Sequence, residues 1–322
     1  MSIHHAKTLV NDDFEAMNRL IVEKVQAQDG LIDNLANHII QSGGKRLRPL
    51  LVLLTSQACH YQGKEHIHLA AMIEFFHTAT LLHDDVVDES TLRRGRQTAH
   101  SIWGSKASIL VGDYLFTLYM QLIVATGNLK IMNLLTDITG KIAHGEIKQL
   151  SHRYNDLLTM DDYFEVIQAK TSLLFAASAA IAGMLAQVED KVIQGLYAYG
   201  LHLGNAFQLI DDALDYCSDA KTIGKNIGDD LAEGKATLPL LYALQQSTPT
   251  QQQHIRAGLN EGGLAHLPVI LEAIEATGAI AYTKNMAKKE VDQALKALAV
   301  LSPSVYKDAL AEMANYAIER DY

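Results

Sequence analysis

The sequence predicts an all-α protein. Five prolines in 322 residues leave few obligatory helix breaks. Long segments rich in Ala, Leu, Ile and Met place apolar residues at helical spacing, and no run sustains the period-two alternation of a half-buried strand. Hydrophobic residues make up 48% of the chain, enough to bury a large core. No linker or shift of composition divides it, so one domain is expected over 1–322, a helical bundle.

Residues near 9 to 40 carry a helical pattern that stops at Ser42-Gly43-Gly44, a glycine-rich helix end. Lys45-Arg46-Leu47-Arg48-Pro49 follows, and Pro49 suits the first turn of the next helix. Gly43-Gly44-Lys45 lacks the rest of a phosphate-loop pattern and its Ser/Thr. Lys45, Arg46 and Arg48 form either a solvated basic loop or an anion clamp at a helix start, where backbone N–H groups favour negative charge. A helix over about 67–83 then leads into Asp84-Asp85-Val86-Val87-Asp88, and Arg93-Arg94-Gly95-Arg96 comes directly after.

One long helix is expected over 101–126, closed by Gly127-Asn128, and another over about 129–150. Thr159-Met160-Asp161-Asp162 reads as an N-terminal capping arrangement for a third, running to about 186. Within it Lys170 interrupts an apolar run. Snorkelling would explain a lone lysine, but an anionic partner accounts better for Lys170-Thr171, because a buried ammonium is costly unless paired. The helix from about 188 carries Gln208 one turn before Asp211-Asp212. Residues 217–235, with Lys225 and Lys235, read as a charged mobile loop able to close over phosphates, or as an ordinary surface connection. Shorter amphipathic helices are expected at 239–246, 249–260, 264–277, 279–300 and 303–319, with no visible chemistry except Arg320.

The chemistry lies in a repeated pattern. In a helix Asp84 and Asp88 stand one turn apart on one face, and such like charges repel unless a cation lies between them. Carboxylate oxygen is the ligand that Mg²⁺ prefers. One such motif alone would read as an acidic helix end facing water. Asp211-Asp212-Ala213-Leu214-Asp215 repeats it at the end of a second apolar run, so the two read as walls of one polynuclear magnesium site. His77 lies seven residues before Asp84, two turns up the same face, and is as plausible a site residue as a core one.

Composition excludes other classes. Against 27 Lys+Arg stand 37 Asp+Glu, a net charge of −10, which is the wrong sign for nucleic acid. Two cysteines, Cys59 and Cys217, indicate no disulfide framework and fit a reducing cytoplasm. The first residues lack an apolar signal core, and Asp12 and Asp13 argue against a transit peptide. The greasy stretch Ser172–Val188 sits at the lower edge of spanning length, so a buried or subunit-interface helix is expected rather than a membrane span.

Taken together, Gly43-Gly44-Lys45-Arg46-Leu47-Arg48-Pro49, Leu81-Leu82-His83-Asp84-Asp85-Val86-Val87-Asp88, Arg93-Arg94-Gly95, Lys170-Thr171, Phe207-Gln208-Leu209-Ile210-Asp211-Asp212 and Gly224-Lys225 resemble the motifs of the trans-isoprenyl diphosphate synthases, in order and spacing. The resemblance covers essentially the whole chain and is strongest to the bacterial octaprenyl diphosphate synthases, which make quinone side chains. It implies an all-helical bundle around a central cavity and a homodimer. It assigns Asp84 and Asp88 to two of three Mg²⁺ ions and Asp211 to the third, with Asp85, Asp212 and Asp215 in support. Arg93, Lys170, Thr171, Gln208, Lys225 and Lys235 would hold the allylic diphosphate; Lys45, Arg48, His77 and Arg94 would hold isopentenyl diphosphate.

The resemblance also sets expectations for product length. The position five residues before the first acidic motif, where a bulky aromatic stops growth in this family, is Ala79, so a long chain of about C40–C45 is expected, grown from farnesyl diphosphate and handed on to the membrane. Met120, Ile123, Met132 and Leu135 are candidate floor residues, each of which could equally be ordinary core. A class I terpene cyclase would leave Lys45, Arg48 and Arg94 unexplained, and a non-catalytic partner subunit would be expected to have lost part of a motif.

Overall fold

The computed structural model of the chain describes residues 3–26, 30, 32, 34, 44–93, 95–217, 227–262 and 264–319. Ser42, Gly43, Arg94, Gly224, Lys225 and Arg320 lie outside them. The described helices run in the order α1 (Ile3–Leu9), α2 (Asn11–Val25), α3 (Leu47–Ala58), α4 (Glu65–Val87), α5 (Ala99–Trp103), α6 (Ser105–Ala125), α7 (Leu129–Ser151) and α8 (Met160–Ile167). A π-helical turn, Gln168–Ser172, leads into α9 (Leu173–Leu185), and α10 (Asp190–Leu214) follows. Then come α11 (Asp229–Ala232), α12 (Leu238–Gln246), α13 (Pro249–Glu261), α14 (Leu267–Thr277), α15 (Ala279–Ala297) and α16 (Val305–Ile318). The fold is all-α. Among the described residues the strands are β1 (Leu92–Arg93) and β2 (Arg96–Gln97), an antiparallel pair with Leu92 opposite Gln97.

The chain sorts into two compact units, one of residues 1–137, 175–197 and 298–313, the other of 138–174, 198–297 and 314–322. In the first unit α4 is the central element. It buries Leu69, Met72, Phe75, Phe76 and Ala79, and the stretch 65–87 contains neither Gly nor Pro to interrupt it. Each fully buried Leu or Phe contributes about 1.5–3 kcal/mol relative to exposure. Helix α6 lies along α4 at close range because Gly112 has no side chain: a Cβ there would fall 2.3 Å from His83 Nε2. Ser108 Oγ fixes the register by donating to the Leu82 carbonyl at 3.0 Å. Helix α2 is tied to α4 by Asp13, which accepts from the buried His66 Nε2 at 2.9 Å and from Lys64 Nζ at 3.3 Å.

The expected continuous helix over 101–126 is in fact two. Gly104, at φ +84 and ψ 155, adopts a conformation open to glycine and costly for other residues, and it separates α5 from α6. The remaining 21 residues of α6 span about 32 Å rather than roughly 40 Å.

In the second unit, α12 to α15 bury Leu240, Leu244, Ile255, Leu259, Ile270 and Ile274 around Leu231. A neighbouring cluster joins Tyr163 and Ile167 to Leu209, Ile210, Leu214 and Leu238. Thr159 caps α8 as its sequence suggests, its hydroxyl accepting from Asp162 N while the Asp162 side chain bonds back to Thr159 N. The helix that follows is not continuous: the π-turn at Gln168–Ser172 inserts one extra residue before α9. Residues 227–235, expected as loop, contain the short helix α11, anchored by fully buried Leu231.

Among the described residues two stretches, Ser105–Ala125 and Met160–Leu185, are long and apolar enough to cross a membrane by length and composition, and Leu264–Thr277 with Ala279–Val300 would make a third if their 60° bend counts as one span. Within the greasy stretch expected to be buried, Leu174 to Ile181 are all shielded, the hydroxyl of Ser178 included.

Candidate active site

The first acidic motif forms the last turn of α4. Asp88 is its C-cap, with its N–H on the Asp84 carbonyl at 2.8 Å. Glu89 turns left-handed at φ +51, and Ser90 N–H reaches back to the Asp85 carbonyl at 3.0 Å, which closes the helix. Three carboxylates therefore crowd the end of the helix where the backbone dipole is already negative. Asp84 and Asp88 are half-buried, whereas Asp85 is buried. Arg93 on β1 holds Asp85 through Nε at 2.8 Å and Nη2 at 2.7 Å, both on Oδ1.

Within the same unit the structure brings Arg48 and His77 together, Nη1 to Nε2 at 3.1 Å, and lays the Arg48 guanidinium 4.4 Å above the Phe175 ring. The preceding Arg46 sits left-handed at φ +47, paired with Glu74 at 3.8 Å and hydrogen-bonded to Asn18. Lys45 is exposed. Ala79 is buried beside an aromatic cluster in which Phe76 lies 4.8 Å from Tyr119 and 6.2 Å from Phe116. Of the candidate floor residues, Ile123 and Leu135 are buried and Met132 is half-buried, while Met120 is 37% exposed.

The second motif ends α10 in the same manner, with Asp215 N–H on the Asp211 carbonyl at 3.2 Å. Asp211 is exposed and Asp212 is buried. Both oxygens of Asp212 accept hydrogen bonds, from Tyr163 OH at 2.5 Å and from Gln208 Nε2 at 2.7 Å. Gln208 accepts in turn from Thr171 Oγ1 at 2.8 Å. Burial, with Asp230 and Asp211 nearby, pushes the Asp212 carboxyl up to about 7, against the two donated bonds. Burial, then Asp212, pushes the Tyr163 phenol well above its ordinary value. Asp215 Oδ2 accepts the Asp230 N–H at 3.2 Å and so fixes the start of α11.

Tyr163, Thr171, Gln208, Asp212 and Asp230 line a cleft of about 100 Å³ that opens to solvent. Its cations are Arg153, Lys170 and Lys235, and its carboxylates are Asp162, Asp212 and Asp230. Lys170 leaves the π-turn to meet Glu146 at 3.1 Å and Gln149 at 2.9 Å. Lys235 pairs with Glu233. Of the residues singled out from sequence, Lys170, Thr171, Gln208, Asp212 and Lys235 converge here, and Arg48 meets His77 in the other unit. Arg94 and Lys225 lie outside the described residues.

Sequence reasoning missed Tyr163, Arg153 and Asp230. Tyr163 is one aromatic in an apolar helix, and its hydroxyl reaches a partner 49 positions away; nothing local announces it. Asp229-Asp230 was visible, but a four-residue helix is too short to show a period.

The carboxylates suit a hard divalent cation. Each motif places acidic side chains at the negative end of a helix, and burial, then the neighbouring charges of Asp230 and Asp211, raises the Asp212 carboxyl. Among the described residues no three His, Cys, Asp or Glu side chains form a closed cage. An ion that takes one or two carboxylates and completes its shell with water and phosphate oxygens needs none.

Comparison with known proteins places this arrangement. A polyprenyl synthetase family model matches residues 29–274. The chain is 43% identical over 322 residues to the octaprenyl diphosphate synthase of Escherichia coli K12, covering all of both chains. It is 41% identical to the all-trans-nonaprenyl-diphosphate synthase (geranyl-diphosphate specific) of Rhodobacter capsulatus, covering 97% of this chain and 96% of that one. The crystal structure of polyprenyl synthase from Caulobacter crescentus CB15, complexed with calcium and isoprenyl diphosphate, superposes with a TM-score of 0.95 at 41% identity, over 100% of this chain and 98% of that one. The chain belongs to the polyprenyl synthetase family, and it is a long-chain prenyltransferase of isoprenoid biosynthesis.

Proposed function

We propose that the chain is a Mg²⁺-dependent all-trans polyprenyl diphosphate synthase that extends farnesyl diphosphate with isopentenyl diphosphate to a product of about eight or nine isoprene units, for a quinone side chain. The number of units is carried over from the resemblance and is bracketed by the octaprenyl and nonaprenyl relatives. The observation that carries the reading is the cleft in which Lys170, Thr171, Gln208 and Lys235 stand beside Asp212: cations and donors for a diphosphate, next to carboxylates that call for a counter-ion. The Rhodobacter relative is named as specific for geranyl diphosphate, so primer choice is part of the test.

In this reading Asp84, Asp88 and Asp211 are the carboxylates for three Mg²⁺ ions, which when bound stabilise negative charge on the leaving diphosphate. Lys170, Thr171, Gln208 and Lys235 orient the allylic diphosphate, with Arg93 and Lys225 assigned to the same substrate. Lys45, Arg48, His77 and Arg94 hold isopentenyl diphosphate. The allylic C–O bond breaks with its electron pair going to the diphosphate. The homoallylic double bond then forms the new C–C bond to the allylic cation, and a proton leaves to pyrophosphate, restoring an alkene. No protein nucleophile is required, so the chain's contribution is charge stabilisation, orientation and exclusion of water.

The protein is proposed to act as a cytoplasmic homodimer that passes its product to a membrane. The dimer accounts for Ile109, Leu110, Val124 and Leu129, which are 41–71% exposed along α6 and the start of α7, a stripe that a second copy would cover. The deciding experiment incubates purified protein with Mg²⁺, labelled isopentenyl diphosphate and either farnesyl or geranyl diphosphate. Long linear products support the proposal. A cyclic hydrocarbon would instead indicate a terpene cyclase, and no product a non-catalytic subunit.

A further inference from the structure

The π-turn that carries Lys170 and Thr171 is held from behind by polar residues that never reach the cleft. Ser172, fully buried, donates from Oγ to Asn205 Oδ1 at 2.6 Å. Asn205, 2% exposed, donates from Nδ2 to Glu290 Oε2 at 3.0 Å. His202 Nδ1 meets the same oxygen at 2.7 Å. The direction of the chain is fixed by chemistry. A carboxylate only accepts, so the Asn205 amide must turn its NH₂ to Glu290 and its carbonyl to Ser172, and His202 must carry its proton on Nδ1. Glu290 on α15 therefore anchors Asn205, and Asn205 dictates where Ser172 sits.

The backbone repeats the message. A Cβ on Gly204 would lie 2.5 Å from Ser172 Cα, and a Cβ on Gly145 would lie 2.3 Å from the Ala169 Cβ. The π-turn is thus touched closely on two sides by glycines of α10 and α7. A π-turn is one residue longer than the α-turn it replaces, and a helix relaxing to α-geometry there would rotate its side chains by about 100° per residue removed. Such a rotation would carry Lys170 away from Gln149 and Thr171 away from Gln208.

We infer that Asn205, anchored by Glu290, is a positioning residue that holds the π-turn in the phase at which Lys170 and Thr171 face the allylic diphosphate. The inference rests on the proposed assignment of that cleft. Asn205 touches neither substrate nor metal; it acts through Ser172. Its function is to keep an otherwise unfavoured turn from relaxing, alongside the close packing of Gly145 and Gly204.

The test is steady-state kinetics of Asn205→Leu, Ser172→Ala, Glu290→Ala and Glu290→Gln, with each substrate varied separately, together with calorimetric binding of a non-reactive allylic thiodiphosphate in the presence of Mg²⁺. Asn205→Leu is expected to raise the KM for the primer and the Kd of the analogue about tenfold, with the KM for isopentenyl diphosphate changed less than about twofold. Ser172→Ala, which removes only the hydroxyl, should move the same two constants in the same direction, and it carries the test if Asn205→Leu does not fold. Glu290→Gln keeps an oxygen to accept from Asn205 and should therefore sit closer to wild type than Glu290→Ala. A purely structural role would lower thermal stability and active fraction while leaving both KM values and the Kd alone, and that pattern would overturn the inference. If the wild-type protein neither turns over these substrates nor binds the analogue, the assignment of the cleft itself fails, which is a separate outcome.

Discussion

Gly204→Ala puts the packing behind the π-turn to a quantitative test. The added methyl would lie 2.5 Å from Ser172 Cα, 2.9 Å from its Cβ and 3.1 Å from its Oγ. Carbon atoms pack at about 3.5–4.0 Å, so relief needs a separation of roughly 1 Å between α10 and the π-turn. The obstructing atoms are backbone and Cβ, which no rotamer change can move. Overpacking of this kind costs about 1–3 kcal/mol, and the better helix propensity of alanine returns up to about 1 kcal/mol. The net expectation is a loss of about 1–2 kcal/mol in urea denaturation, with a raised primer KM because the displaced segment carries Lys170 and Thr171. Gly140→Ala is the control. Gly140 is an exposed position of α7 with nothing within 4 Å of the added methyl, so that variant should gain up to about 1 kcal/mol. Equal stabilities for the two variants, with the primer KM of Gly204→Ala unchanged, would refute the argument.

Four further outcomes are expected. Asp84→Ala and Asp211→Ala should each fold normally, by circular dichroism, and lose turnover by orders of magnitude; near-normal turnover at saturating Mg²⁺ in either would remove that carboxylate from the metal site. Arg48→Ala should mainly raise the KM for isopentenyl diphosphate and Lys170→Ala the KM for the primer, and equal effects on one constant would break the partition. Burial pushes the Asp13 carboxyl up, but the hydrogen bond and charge of His66, with Lys64, outweigh it and hold it below the usual range. Its folded value being depressed, its stabilisation is complete above the unfolded carboxylate range and fades as pH falls through the lower folded value. Asp13→Asn should thus cost about 2 kcal/mol at neutral pH and progressively less towards pH 3, measured by denaturation at each pH; a gap independent of pH would contradict the ion pair. Ala79→Tyr should shorten the product sharply on chromatography of the dephosphorylated chains while costing little stability if a tunnel passes there. If residue 79 is instead packed solid, the change costs about 1–3 kcal/mol and leaves product length alone.

What could be read from sequence was the chemistry that local spacing displays. The carboxylate pairs at i and i+4 and the Thr159–Asp162 capping box follow from short-range geometry. Gly104 was also visible, but one glycine in an apolar run does not reveal that its φ will be positive. The π-turn was invisible, because the residues that touch it, Gly145, Gly204 and Asn205, are not sequence neighbours of Lys170. Tyr163 and Asp230 belong to the same class: their partners are chosen by tertiary packing.

The two acidic motifs, described separately, arrive at one division of labour and then depart from it. In each, the second carboxylate turns inward and is satisfied by the protein: Asp85 by Arg93, and Asp212 by Tyr163 and Gln208. This follows from helical geometry, since successive residues point about 100° apart and the position after an outward-facing one must turn toward the body of the unit. The first and fifth positions share the opposite face. In the first motif Asp84 and Asp88 are both half-buried; in the second Asp211 is exposed, while Asp215, half-buried like Asp84 and Asp88, turns an oxygen to the Asp230 N–H at the start of α11. The repeated five-residue pattern thus commits its second carboxylate to the protein in both units, and how far the first and fifth face solvent is set by the packing around each helix end rather than by the motif itself.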